Sequence, residues 1–232
     1  IYPRKPKHLY VPYIFSEEEL KKIFKAADEL MFVRRNFKCG IFSIPVLLRL
    51  LYSTGMRIGE ACSLINSDVD MSSRIILVRN TKNKRDRQLP ISDSLYQVLE
   101  QYLIKRDKLP LHNMGNPNSP FLISLDGSSL TGVSARHWFY KILEASDIDY
   151  IPKVGPRIHD LRHTFAVHVL DKLVKEGVDM HCCLPVLSMA LGHKCVSDTE
   201  YYVRITNQVY PHLSDTTSAI SEYVFPTIST MK

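Results

Sequence analysis

Two short β runs, "RIILVRN" at 74–80 and "RQLPIS" at 87–92, constrain this chain most. The basic turn "TKNKRD" joins them, which is a hairpin signal. "PFLIS" at 120–124 reads as a third strand. Nearly every other patterned stretch repeats apolar residues at helical spacing. The expected class is therefore mainly α with a small antiparallel sheet (α+β).

The helices announce their own ends. Ser16 and Glu19 make a capping box before the stripe Leu20, Ile23, Phe24, Ala27 and Leu30. A second helix is expected from about Ile41 to Ser53, stopped by Gly55. A third starts near Arg57, with Ile58, Ala61, Cys62 and Leu64 on one face. Further helical patterns cover 92–109 and 134–146, and "LPVLSMALGH" ends at Gly192. Ser197 with Glu200 suggests a second capping box. The expected organisation is a basic arm over 1–14, one compact domain over 15–206 and a Ser/Thr-rich tail over 207–232.

The stretch "RIHDLRHTFAVHVL" at 157–170 is amphipathic, with Leu161, Phe165, Val169 and Leu170 facing a core. It nevertheless carries His159, Arg162 and His163 in its first turns. A helix N-terminus already favours negative charge, so added cations there point to an anion. A net charge of +6 and a pI near 9.0 favour a polyanionic partner. The longest apolar run, "IFSIPVLLRLLY", is broken by Pro45 and Arg49 and is too short for a bilayer span. No secretory leader is legible. Five irregularly spaced cysteines read as reduced thiols of a cytoplasmic protein. "HCC" at 181–183 lacks zinc-ligand spacing, so no metal is expected.

Four segments place polar residues at helix starts or turns: "STGMRIGE", "NTKNKRDRQLP", the helix at 157–170 and "LGHKCVSDTEYY". Two arginines can fork onto phosphate oxygens and stabilise a pentacovalent transition state. A tyrosine hydroxyl can attack phosphorus to form a covalent ester. A lysine can protonate the leaving oxygen, and a histidine can accept a proton or hydrogen-bond an oxygen. No carboxylate cluster of the two-metal type is visible, Asp68, Asp70 and Asp160 being scattered.

The order Arg…Lys…His-x-x-Arg…His…Tyr resembles the tyrosine recombinase (phage integrase) family. Its boxes are "TGMRIGEACSL", "TKNKRDRQLPIS", "HDLRHTFA" and "LGHKCVSDTEYY", spread over about residues 16–205. The resemblance implies the tyrosine recombinase catalytic-domain fold. It implies Arg57 and Arg162 as phosphate clamps, Lys82 as the hairpin lysine with Lys84 as runner-up, and His159 and His193 as the two histidines. It implies Tyr202, nine residues after His193, as nucleophile, with Tyr201 the adjacent ambiguity. Glu60 is read as orienting the Arg57 neighbourhood and His163 as structural. Lys84, Arg85 and Arg87 are expected to contact DNA, mostly through phosphates.

The implied function is site-specific DNA cleavage and rejoining through a 3′-phosphotyrosyl intermediate, with no metal, cofactor or ATP. The implied partners are double-stranded DNA, a homotetramer on two DNA sites passing through a Holliday junction, and accessory proteins, with a nucleoid location and no membrane. The arm resembles the linker that follows an N-terminal DNA-gripping domain in relatives, so a longer protein is expected. The tail is expected to dock on a neighbouring protomer or to fold back on its own domain. Three alternatives stand beside this reading, the blandest being a helical protein with a basic surface and no nucleic-acid role, which the motif order opposes. A type IB topoisomerase uses similar residues, but the tyrosine spacing after "LGH" favours a recombinase. A DNA-binding module without catalysis is opposed by all six positions being filled.

Overall fold

The computed structural model describes residues 11–30, 40–79, 86–152 and 154–210. Among these the chain is mostly helical, with one small sheet. The helices are α1 (Glu17–Asp28), α2 (Ile44–Thr54), α3 (Ile58–Cys62), α4 (Asp93–Arg106), α5 (Gly132–Ala145), α6 (Asp160–Lys175), α7 (Met180–Leu191) and α8 (Ser197–Val209). The strands are β1 (Val69–Asp70), β2 (Ile75–Val78) and β3 (Arg87–Pro90). They pair antiparallel in the order β1-β2-β3, with Ile76 opposite both Val69 and Leu89. The expected hairpin is thus present as β2–β3. The chain divides after Phe165 into two compact units.

The first unit is built around α2. Ile44, Leu47, Leu48 and Leu50 are fully buried, and α1 and α4 both pack on this helix. Each such side chain contributes about 1.5–3 kcal/mol by leaving water. The capping box at the start of α1 is formed. Ser16 Oγ accepts from the Glu19 N–H at 3.2 Å, and Glu19 Oε2 accepts from the Ser16 N–H at 2.8 Å. Residues 40–43 form a 3-10 turn, so α2 begins three residues later than its pattern suggests, beside Pro45 in its first turn.

The segment 120–124 is not a strand of the sheet. It makes isolated bridges, Ile65 to Pro120 and Ile123 to Ser129. Its backbone groups are taken elsewhere: the Phe121 N–H donates to Leu64 O and the Ile123 N–H to Ser43 Oγ. The third strand is β1, a two-residue piece whose pairing no apolar run announces.

In the second unit α7 and α8 pack together, with Leu184, Leu187, Leu191 and Ile205 buried. The expected capping box of α8 does not form. Ser197 is the first residue of the helix, Val196 is its cap, and Ser197 Oγ donates to Cys195 Sγ at 3.0 Å. No helix among the described residues is long and apolar enough to cross a membrane.

Candidate active site

In the first unit a tight turn presents Arg57. Helix α2 ends at Gly55, which takes the left-handed conformation (φ +62°, ψ 14°) that glycine adopts without a Cβ penalty. Met56 is buried, and Arg57 is extended before α3 begins. Glu60, one turn into α3, closes the turn. Its Oε2 accepts from the Arg57 N–H at 2.8 Å, and its Oε1 from Arg57 Nη1 at 2.9 Å.

Glu60 has a second partner that no local pattern reveals. Arg87, on β3, donates from Nη2 to Oε2 at 2.7 Å and from Nη1 to Oε1 at 3.2 Å. The side chains of Glu60 and Arg87 are 8% and 9% exposed. Burial alone would raise this carboxyl. The hydrogen bonds and charges of Arg87 and Arg57 overcome that and hold its pKa down at about 2. Arg87 is expected from the sequence to contact DNA; in the structure its guanidinium is seated on this carboxylate.

Helix α6 brings the second arginine. Its entry is fixed by Asp160, fully buried, whose Oδ2 accepts from the Arg157 N–H at 2.7 Å while its own N–H donates to Arg157 O at 2.9 Å. Arg162 is 3% exposed and donates from Nη1 to the carbonyl of Gly55 at 2.6 Å. The turn that presents Arg57 is therefore held by Arg162. His159 precedes the helix and keeps solvent access, its ring edge-on to His163 at 5.0 Å. Partial desolvation, then the charges of Arg162 and Arg57, push its imidazole down to about 4, against the pull of Glu60. His159 is consequently neutral at pH 7, and Arg57, Glu60, His159 and Arg162 form one electrostatic cluster.

In the second unit α7 ends at Gly192, another left-handed glycine, and the His193 N–H donates to Ser188 O at 3.0 Å. His193 Nδ1 lies 2.8 Å from Thr199 Oγ1. Its ring is parallel to that of Tyr202, 6° apart at 6.1 Å between centroids. Tyr202 is 2% exposed, whereas Tyr201 is half-buried and has its hydroxyl pKa raised by burial. The two neighbours thus face different surroundings, as a 100° step along a helix requires.

The site expectations at Lys82, Lys84 and Arg85 lie outside the described residues. Sequence reasoning missed Thr199, the Gly55 carbonyl and Asp160. Only Asp160 had a legible signal, a carboxylate three residues after Arg157 at a helix start. Among the described residues no group of three metal-ligating side chains is assembled.

Comparison with known proteins agrees in extent and fold. Residues 14–208 match the profile described as the Phage integrase family. Tyrosine recombinase XerA of Pyrococcus horikoshii is 30% identical over 208 residues, covering 89% of this chain and 61% of that protein. The structure of XerH recombinase bound to palindromic difH substrate, a post-cleavage complex, superposes with a TM-score of 0.65 at 23% identity, over 91% of this chain and 54% of that one. The catalytic domain of bacteriophage HP1 integrase gives 0.55 at 24% identity, over 95% and 98%. The chain spans 63%, 59% and 61% of the first three curated relatives it matches.

Proposed function

From a chain that belongs to the phage integrase family, we propose site-specific DNA recombination by strand cleavage and rejoining through a 3′-phosphotyrosyl intermediate. The observation that carries this reading is the arginine cluster: Arg57 and Arg162, both fixed at one turn, beside a histidine kept neutral. Two fixed guanidiniums match the non-bridging oxygens of a phosphodiester and the extra charge of its transition state. The DNA complex of XerH supports DNA as the partner.

In this reading Tyr202 attacks the scissile phosphorus. Its oxygen forms the new P–O bond and the 5′-oxygen leaves. Lys82 protonates that oxygen as general acid, and His159, neutral at pH 7, accepts the proton that the Tyr202 hydroxyl gives up. His193 hydrogen-bonds a non-bridging oxygen. The ester keeps the energy of the broken bond, so a partner 5′-hydroxyl can displace the tyrosine with neither ATP nor metal. Lys84 and Arg85 add positive charge for the DNA backbone, and Arg87, expected there too, acts instead through its ion pair with Glu60. Residues 15–206 serve as the catalytic region, 1–14 as an arm and 207–232 as a tail. The working assembly is a tetramer on two duplexes, with accessory proteins and a nucleoid location.

The test needs no known site. The protein is incubated with pooled supercoiled DNA from its source, stopped with detergent, and the DNA that stays attached to protein is sequenced. Attachment through a 3′ end at recurrent sequences, abolished by Tyr202→Phe, is expected. Attachment that survives in Tyr202→Phe overturns the assignment of the nucleophile. Relaxed circles without joints between two sites indicate a topoisomerase instead.

A further inference from the structure

We propose that Thr199 is a positioning residue: its hydroxyl donates to His193 Nδ1, so that the ring addresses the DNA phosphate through Nε2–H. The inference rests on the reading of His193 and Tyr202 given above. His193 follows the left-handed glycine that ends α7, and its backbone is fixed by the bond to Ser188. Backbone fixation leaves the ring free to turn about its own two side-chain bonds. The 2.8 Å contact with Thr199 Oγ1 removes that freedom. Thr199 is fully buried and its own N–H is held by Val196 O at 2.7 Å, so the hydroxyl is a rigid partner.

The tautomer follows from the chemistry of the target. A phosphate oxygen accepts hydrogen bonds and cannot donate one. A neutral imidazole has one N–H and one bare nitrogen. In a neutral ring whose Nε2 carries the proton toward the phosphate, Nδ1 is an acceptor, and a threonine hydroxyl is a suitable donor. An orienting bond to the second ring nitrogen is the same device that fixes metal-binding histidines.

The placement of Thr199 has a further effect. It stands three residues before Tyr202 on α8, so both lie on one helix face. The same face therefore holds the His193 ring and carries the tyrosine whose ring runs parallel to it at 6°. Thr199 thereby ties the ring of a residue anchored on α7 to the helix face that carries Tyr202.

The test uses the full chain with 15N-labelled histidine, and Thr199→Val and Thr199→Ser variants. Imidazole nitrogen shifts of free protein are expected to show His193 with Nε2 protonated and Nδ1 accepting. Valine, nearly the same shape, abolishes that signature, and serine restores it. On the supercoiled source DNA of the attachment assay, Thr199→Val slows attachment by about 10- to 100-fold, the scale of a small misplacement of a reacting group. Serine restores most of the rate. An Nδ1-protonated ring in the wild type overturns the proposal even if the valine variant fails to fold. So does a valine variant with unchanged shifts or an unchanged rate. Absence of attachment by the wild type would instead sink the functional reading, and the nitrogen shifts still judge the role of Thr199.

Discussion

The arginine region and the tyrosine region are held in place by opposite means. Around Arg57 and Arg162 the clamps are ionic or aimed at a backbone carbonyl: Glu60 takes two guanidiniums, and Gly55 O takes a third. Around Tyr202 the described contacts are a threonine hydroxyl on an imidazole nitrogen and two parallel rings. A charge taken out of water must be given fixed partners, so these guanidiniums are pre-set by the fold itself. A neutral phenol carries no such demand. It can lie buried, as Tyr202 does at 2% exposure.

The comparison breaks most visibly at Glu60. Glu60→Gln leaves Arg57 and Arg87 facing an uncharged amide. Losing one partner of a buried pair costs about 3–5 kcal/mol. Urea unfolding followed by the single tryptophan, Trp138 in α5 of the same unit, is the measurement. A loss below 1 kcal/mol would mean that the pair is solvent-screened and not a structural clamp.

Acid is the gentler probe. The folded pKa of His159, about 4, lies below the ordinary 6.5, so the unfolded chain binds the proton more readily. Its share of stability is complete above pH 6.5 and is lost as the pH falls toward 4. Glu60, held at about 2 against 4.5, adds a second loss that begins below pH 4.5. Thermal unfolding between pH 7 and pH 3 is expected to show falling midpoints over both windows. His159→Gln flattens the upper window alone. An unchanged upper window in that variant would assign the loss to other groups.

The smallest effect belongs to the other region. Tyr201→Phe keeps the ring and its packing, so stability is expected to stay within about 0.5 kcal/mol and DNA attachment to remain at the wild-type level. Lost attachment would transfer the nucleophile to Tyr201 and undo the contrast between a buried and a half-buried tyrosine.

Local chemistry was the legible part of this molecule. The capping box of α1 depends on residues three apart, and Gly55 is a stop that a glycine after an apolar run signals. The hairpin followed from two β runs around a basic turn. What escaped was set by partners distant in sequence. Residues 120–124 look like a strand, but their N–H groups are claimed by Leu64 and Ser43. Ser197 has the composition of a cap, but its hydroxyl goes to Cys195 and the helix starts one residue early. The site divides in the same way. Arg57, His159, Arg162, His193 and Tyr202 are picked out by the resemblance of their boxes to the tyrosine recombinase family. The groups that aim them did not: Arg87 lies 27 residues from Glu60, and the oxygen that holds Arg162 comes from 107 residues away.

That last oxygen has a consequence for descent. Arg162 is held by a carbonyl, and every amino acid has one. No letter of the alphabet at position 55 spells the acceptor; what glycine supplies there is the left-handed bend that aims it. Mutation can rewrite the surroundings of this clamp without touching its chemistry, provided the bend is inherited. At this point of the molecule the shape of the main chain, and no side chain, gives a charged residue its partner.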